Sequence, residues 1–214
     1  MVFLLGSVVL THRWIREPYV FSRVELDFLA TGTRVFGDTK VRQLIVAYTS
    51  GIFVMQAVIG FLPLFLQAEQ NFSATLSSAG FAVLFVGAMI TMPVSGSLGD
   101  RFSYVPVAVG GLVLSLIGLV VLIFASSVVV VLLGVLCFGL GIWAFPPVIQ
   151  AHLMTRFPDD SMGGDYGVFK TVYAGVGSLG PAYVGFVAGL FDYTSAFLGL
   201  IVFLVVAIVI FSRL

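Results

Sequence analysis

Between Glu69 and Arg156 the sequence has one acid and one base, the neighbours Asp100 and Arg101. Charged residues make up 9% of the chain and hydrophobic ones 60%, with a mean hydropathy of +1.16. Soluble globular domains lie far from this balance. The formal net charge is zero, so nothing in the composition suggests a nucleic-acid partner. Cys137 is the single cysteine, which excludes an intrachain disulfide and leaves packing as its default role. His12 and His152 have no Cys or His at ligand spacing, so neither a metal nor another cofactor is expected. A glycine-rich phosphate loop, a His-Glu-x-x-His helix and a Ser/His/Asp set in a workable context are also missing, so no enzyme is expected. Asp159 and Asp160 read as solvated loop residues.

What the sequence has in abundance is long apolar runs. Stretches of about 20 apolar residues are long enough to cross a ~30 Å hydrocarbon core as helices, and they argue against a barrel. Six spans are predicted, near 43–66, 75–97, 104–125, 127–150, 164–190 and 193–212. Residues 1–10 are apolar but cover only about 15 Å as a helix, half of the core. They read as the tail of a preceding transmembrane helix, so the chain is expected to be truncated at its start. Residues 11–42 carry Arg13, Arg16, Arg23, Arg34, Lys40 and Arg42, nearly balanced by Glu17, Glu25, Asp27 and Asp38. They read as a solvated central linker broken at Pro18, with Val24, Leu26, Phe28 and Leu29 able to form a short surface helix. Residues 43–214 then form the bundle. Arg101, Arg156 and Arg213 lie on the same side as the linker, whereas the opposite loops hold Glu69 and Asp192 and no basic residue. The positive-inside rule puts the linker and the C-terminus in the cytoplasm of a multi-pass cell-membrane protein.

Gly96-Ser-Leu-Gly-Asp-Arg101 lies between the second and third spans. A charge at the bilayer centre costs about 2.5–3.5 kcal/mol, so this stretch is expected at a water interface as a hairpin turn, with Gly96 and Gly99 easing the turn and the approach of the helices. Gly96, Asp100 and Arg101 at this spacing resemble the loop signature Gly-x-x-x-Asp-Arg-x-Gly-Arg of the major facilitator superfamily. Ser103 stands where the signature has its later glycine, and Tyr104-Val105 where basic residues usually follow. Leu62-Pro63-Leu64-Phe65-Leu66-Gln67, Phe72-Ser73 and Ser78-Ala79-Gly80 resemble the first helix connection in the C-terminal half of the family's drug-efflux-like branches. Phe157-Pro158, Gly163-Gly164, Gly167, Gly180-Pro181, Gly185 and Asp192 are similar to the region of that half's fifth helix. The resemblance implies an all-α membrane protein, a six-helix bundle of the C-terminal-half type preceded by the tail of another helix. It also implies that the Gly96, Asp100, Arg101 loop is conformational, bracing one half against the other.

Several residues within the spans are candidates for a substrate pathway. Gln56 sits mid-span, where an amide must find a protein or water partner. Trp143 lies midway along another span, just before Pro146 and Pro147. Those prolines remove two backbone donors, and a gating bend is the preferred reading over a packing kink. Lys170 is the one cation inside an apolar run, with Tyr166, Tyr173 and Gly177 at i−4, i+3 and i+7. Two readings stand for it: a pathway charge that attracts anions, or a lysine snorkelling to the headgroups. Gly134, Gly139 and Gly141, Gly163 and Gly167, and Gly185 and Gly189 read as helix-packing positions.

The expected function is secondary active transport of a small solute by alternating access. By resemblance it is antiport-type efflux of organic or drug-like compounds, coupled to an ion, taken as the proton. The partners implied are that substrate, the coupling ion, the lipid bilayer and a missing N-terminal six-helix half. Two alternatives remain: an uptake transporter for anions or other solutes, suggested by Lys170, and a truncated, non-transporting half that needs its N-terminal partner.

Overall fold

The computed structural model describes residues 28–158 and 161–214. The expectations for residues 1–10, for the linker up to residue 27 and for Asp159 and Asp160 lie outside the described residues. Within them, the regular elements are helices α1 (Phe28–Gly37), α2 (Thr39–Ala68), α3 (Ala74–Phe102), α4 (Tyr104–Phe124), α5 (Val128–Ile142), α6 (Phe145–Met154), α7 (Met162–Gly177), α8 (Leu179–Leu190) and α9 (Tyr193–Phe211). Taking α5–α6 and α7–α8 as interrupted single helices gives six candidate membrane spans. Their limits differ from the sequence reading by a few residues, most where charged or capping residues extend a helix. Asp38, expected in the linker, accepts the Lys40 and Val41 N–H groups at 2.7 and 3.4 Å and so starts α2 at Thr39.

One expected turn is not a turn. Residues 96–102 are helical to the end of α3, and the chain reverses at Ser103 alone. Charge did not force a loop, because a carboxylate and a guanidinium in the last helical turn already reach the interface. The glycines do not supply the turn either, since no described glycine has a positive φ. Gly99 gives closeness instead: a Cβ there would lie 2.9 Å from the Tyr104 ring. Ser103 has φ 87° and ψ 147°, a region that favours glycine, and it occupies the signature's later glycine position. Ser103→Gly should therefore raise stability by about 1 kcal/mol, the relief of strain exceeding glycine's added chain entropy. A lower midpoint for the variant in denaturant or thermal unfolding would refute that account of the turn.

Packing follows side-chain size. The α4 and α5 backbones touch through Gly111, Gly118, Gly134 and Gly141, and Gly87 and Gly139 do the same between α3 and α5. Small residues permit such contacts where lipid gives no hydrophobic drive for association. The expected glycine pairs on the fifth span behave differently: Gly163, Gly167 and Gly189 have no neighbouring atom within 4 Å of a built Cβ. Gly163 and Gly167 line a cavity of about 350 Å³ with Thr31 of α1, and Gly189 lies on an open surface.

Elsewhere α2 lies against α7, α8 and α9, and α9 also packs on α4, while α1 docks on α7. At the end opposite Arg101 and Arg156, the Glu69 carboxylate accepts the Tyr193 N–H and the Thr194 hydroxyl, both at 3.1 Å. Asp192 caps the same helix, accepting Ser195 N–H at 2.6 Å, which holds its carboxyl below the usual carboxylate range. That contribution to stability is present above the unfolded pKa and is lost as pH falls through the lowered folded value. Two acids at the N-terminus of α9 also suit its helix dipole.

Candidate functional site

Polar and aromatic side chains meet where α2, α6 and α7 come together. The break that makes this possible begins at Pro146 and Pro147. Neither can donate to the helix carbonyl four residues earlier, so α5 stops at Ile142 and α6 begins at Phe145, with both prolines in its first turn region. The restart aims Phe145 and Gln150 at α2. Tyr48, fully buried on α2, meets Phe145 (centroids 5.3 Å apart) and Tyr173 (5.0 Å) edge-on and Phe169 (4.9 Å) at a tilt.

Gln150 supplies the polar link in this cluster. Its Nε2 donates to the Tyr48 hydroxyl at 2.7 Å, and its Oε1 accepts from the Tyr166 hydroxyl at 2.8 Å. One amide thus ties together three spans, using its donor and its acceptor at once. A second interruption lies beside the cluster: Pro181 cannot donate to Gly177, and α7 gives way to α8 at Ser178. A Cβ on Gly177 would press on Ile52, and one on Gly180 on the Phe53 carbonyl, so α2 fits closely into this joint.

The candidate residues from the sequence fall in different places. Tyr173 belongs to the cluster, half-buried against Tyr48. Lys170, one turn earlier, is exposed and has no ion pair with a described residue. Gln56 is exposed on the narrow open stripe of α2, with Gly60 one turn on, and bonds to no described residue. Trp143 sits at the end of α5 beside Phe85 of α3, centroids 6.1 Å apart, and its buried Nε1–H has no partner among the described residues. Lys170 and Tyr173 therefore share one region, while Trp143 and Gln56 stand apart from it. Asp100 accepts from the Tyr104 hydroxyl at 3.2 Å, and Arg101 extends over the Phe102 ring, 5.5 Å from its centroid. Gly96 is helical and open on its outer side.

Asp165 was not singled out from the sequence. It is 1% exposed in the first turn of α7 and accepts from the Ser161 hydroxyl at 2.8 Å. With Asp38 and Arg156 it lines a small cavity of about 170 Å³ under α1. A lone acid opening a predicted span was its only sequence signal. Tyr48 and Gln150, 102 positions apart, gave none.

The spans differ in how much of their surface the bundle covers. The most apolar window of α2 is 67% buried and that of α7–α8 17%. The mean hydropathy of the α7–α8 window, 1.2, is also the lowest of the six, against 2.9 for α4 and for α9. The span with most surface left open is thus the one least suited to lipid.

A family model described as Major Facilitator Superfamily matches residues 3–214. Among solved structures, a peptide transporter, POT, in complex with sulfate is similar, with a TM-score of 0.75 and 16% identity over 88% of this chain and 41% of that one. A bacterial homologue of the human lysosomal transporter Spinster, inward-facing and unoccupied, gives a TM-score of 0.65 and 15% identity over 97% of this chain and 55% of the other. The chain thus spans about half the length of these relatives in fold.

Proposed function

The chain belongs to the major facilitator superfamily, and we propose that it forms one six-helix half of a secondary active transporter that moves a small solute by alternating access. The observation that carries this reading is the mismatch on α7–α8, least covered and least apolar of the spans. Lipid is a poor cover for Lys170, and a second half bordering a water-filled path suits it better. Relatives about twice as long agree with an opposing half. Residues 1–10 would be the end of that half, 11–42 the linker and 43–214 the bundle. In this reading Gln56, Trp143, Lys170 and Tyr173 border the path, and the break at Pro146 and Pro147 is a gating bend between α5 and α6. Gly96, Asp100 and Arg101 act on the balance of states rather than on substrate. The linker and the C-terminus face the cytoplasm of the cell membrane, from the basic residues gathered at that end.

Proton-coupled efflux of organic compounds is the leading form of this function, supported by the resemblance around Leu62–Gln67. Anion transport is the second, favoured by Lys170, an exposed cation without a partner among the described residues. Flux in proteoliposomes separates them. Residues 1–214 alone should give no saturable, gradient-driven flux, and co-reconstitution with an opposing six-helix half should restore it. Lys170→Met in that complex should slow organic anions about tenfold and leave neutral or cationic solutes nearly unchanged, since it removes the charge and keeps most of the stem. Saturable flux by residues 1–214 alone would overturn the half-transporter reading. Unchanged anion flux in Lys170→Met would remove the anion reading only.

A further inference from the structure

A cavity of about 350 Å³ lies between α1 and the first turns of α7, lined by Thr31 of α1 and by Gly163, Gly167, Val168, Thr171 and Val172 of α7. We propose that this cavity binds an amphipathic organic anion, with a flat apolar body in the cavity and its sulfonate or carboxylate on Lys170. The proposal rests on the reading of Lys170 as a charge that attracts anions, and it gives that charge a site.

Size and lining fit the apolar body. Small-molecule sites are mostly apolar and run from about 300 to 1,000 Å³, and this cavity falls at the small end of that range. Its walls are almost wholly apolar atoms, and Thr171 uses its hydroxyl on its own helix, donating to Gly167 O at 2.9 Å. Glycine makes the room. A Cβ at Gly163 or Gly167 would meet nothing within 4 Å, so the backbone of α7 offers a flat floor for a ring system. Opposite it α1 packs on α7 and α2, anchored by Val35, which is 2% exposed.

Charge sets the other end of the ligand. Lys170 is exposed. It follows Gly163 by seven residues, so it stands on nearly the same row of α7, about 10 Å farther along. Helical side chains lean toward the N-terminus, which carries the lysine stem back over Gly167 and its ammonium toward the cavity. Asp165 lies about 140° round the helix from Lys170. It is 1% exposed and accepts from the Ser161 hydroxyl, so it does not neutralise the lysine. A protein segment filling the cavity would bury that ammonium unpaired, whereas an organic anion answers it with a charge-assisted hydrogen bond.

The test is equilibrium binding of radiolabelled naphthalenesulfonate to the full chain in phosphatidylcholine nanodiscs, with the neutral naphthalenesulfonamide as competitor. Saturable binding above empty nanodiscs is expected, with the sulfonamide about tenfold weaker. Lys170→Met should weaken the sulfonate about tenfold and leave the sulfonamide unchanged, and Lys170→Arg should recover part of the loss. Gly167→Leu and Thr171→Phe should fill the cavity and abolish binding of both compounds; both positions are open, so both variants should fold. No saturable binding, equal affinity for the two compounds, or wild-type binding in either folded cavity variant would overturn the proposal. So would displacement of the sulfonate when phosphatidylglycerol replaces part of the phosphatidylcholine, which would assign the cavity to a lipid. Anion flux in the assembled transporter is a separate measurement: its absence with binding intact removes the transport reading and leaves the site.

Discussion

Gly118→Leu is expected to abolish the folded bundle. A Cβ at Gly118 would run into the backbone N of Phe138 and lie 2.7 Å from its Cα and 2.8 Å from the Gly134 carbonyl oxygen. All three are backbone atoms of the facing helix, so no rotamer change can relieve the clash, and α4 and α5 must move apart. Gly141→Leu meets the same obstacle at the Gly111 carbonyl and at Ser115 N, 2.5 Å from the built Cβ. Overpacking costs about 1–3 kcal/mol where side chains can adjust, and here the cost should exceed that range because they cannot. Gly110→Ala and Gly175→Ala are the controls: both sites are open, and helix propensity alone should raise stability by up to about 1 kcal/mol each. Cys137, half-buried on α5, makes the measurement simple. A thiol-reactive dye should label it on heating in the wild type and at once in Gly118→Leu. Wild-type melting of that variant would refute the packing account.

Gln150→Leu should have the next largest effect. It keeps the volume of the side chain and removes both the donor to Tyr48 and the acceptor from Tyr166. The Tyr48 hydroxyl is then left in a fully buried residue, at a cost of about 1–3 kcal/mol, while half-buried Tyr166 can turn toward solvent. A total loss of about 2–3 kcal/mol is expected, with Tyr166→Phe losing about 1 kcal/mol. In an assembled transporter the same change should loosen α6 from α2 and α7 and shift the balance of access states. Distance-reporting labels on α6 and α7 would read this shift. A Gln150→Leu protein with unchanged stability and unchanged label distances would reduce the triad to an incidental contact.

The sequence made some of this legible for clear physical reasons. Runs of apolar residues are a one-dimensional signal, so the six spans could be read to within a few residues, and α4 begins at Tyr104 where expected. The break near Trp143 was legible because two missing N–H groups act locally on their own helix. The reversal at Ser103 was misread because a charged stretch suggests loop, although a helix end at the interface accommodates charge equally well. The Gln150 triad and the Glu69 tie to Tyr193 left no trace in any window, since their partners are joined only when the spans pack. Pro181 was noted in a motif and interrupts α7–α8 by the same local cause, but the close fit of α2 at Gly177 and Gly180 had no sequence signal. The glycines on α4 and α5 and those on α7 look alike in sequence, and only packing separates contact from open surface.

The central claim is that the weakly apolar open faces of α2 and α7 border water, while the strongly apolar open faces of α4 and α9 border lipid. Single cysteines at Gln56, Lys170, Ile117 and Val202, on a Cys137→Ser background in the assembled transporter, test it most directly. A small, charged, water-soluble thiol reagent should modify the first two readily, from the aqueous phase, and leave the Ile117 and Val202 sites unmodified. Equal reaction at all four, or reaction at Ile117 and Val202 with Gln56 and Lys170 protected, would contradict the account.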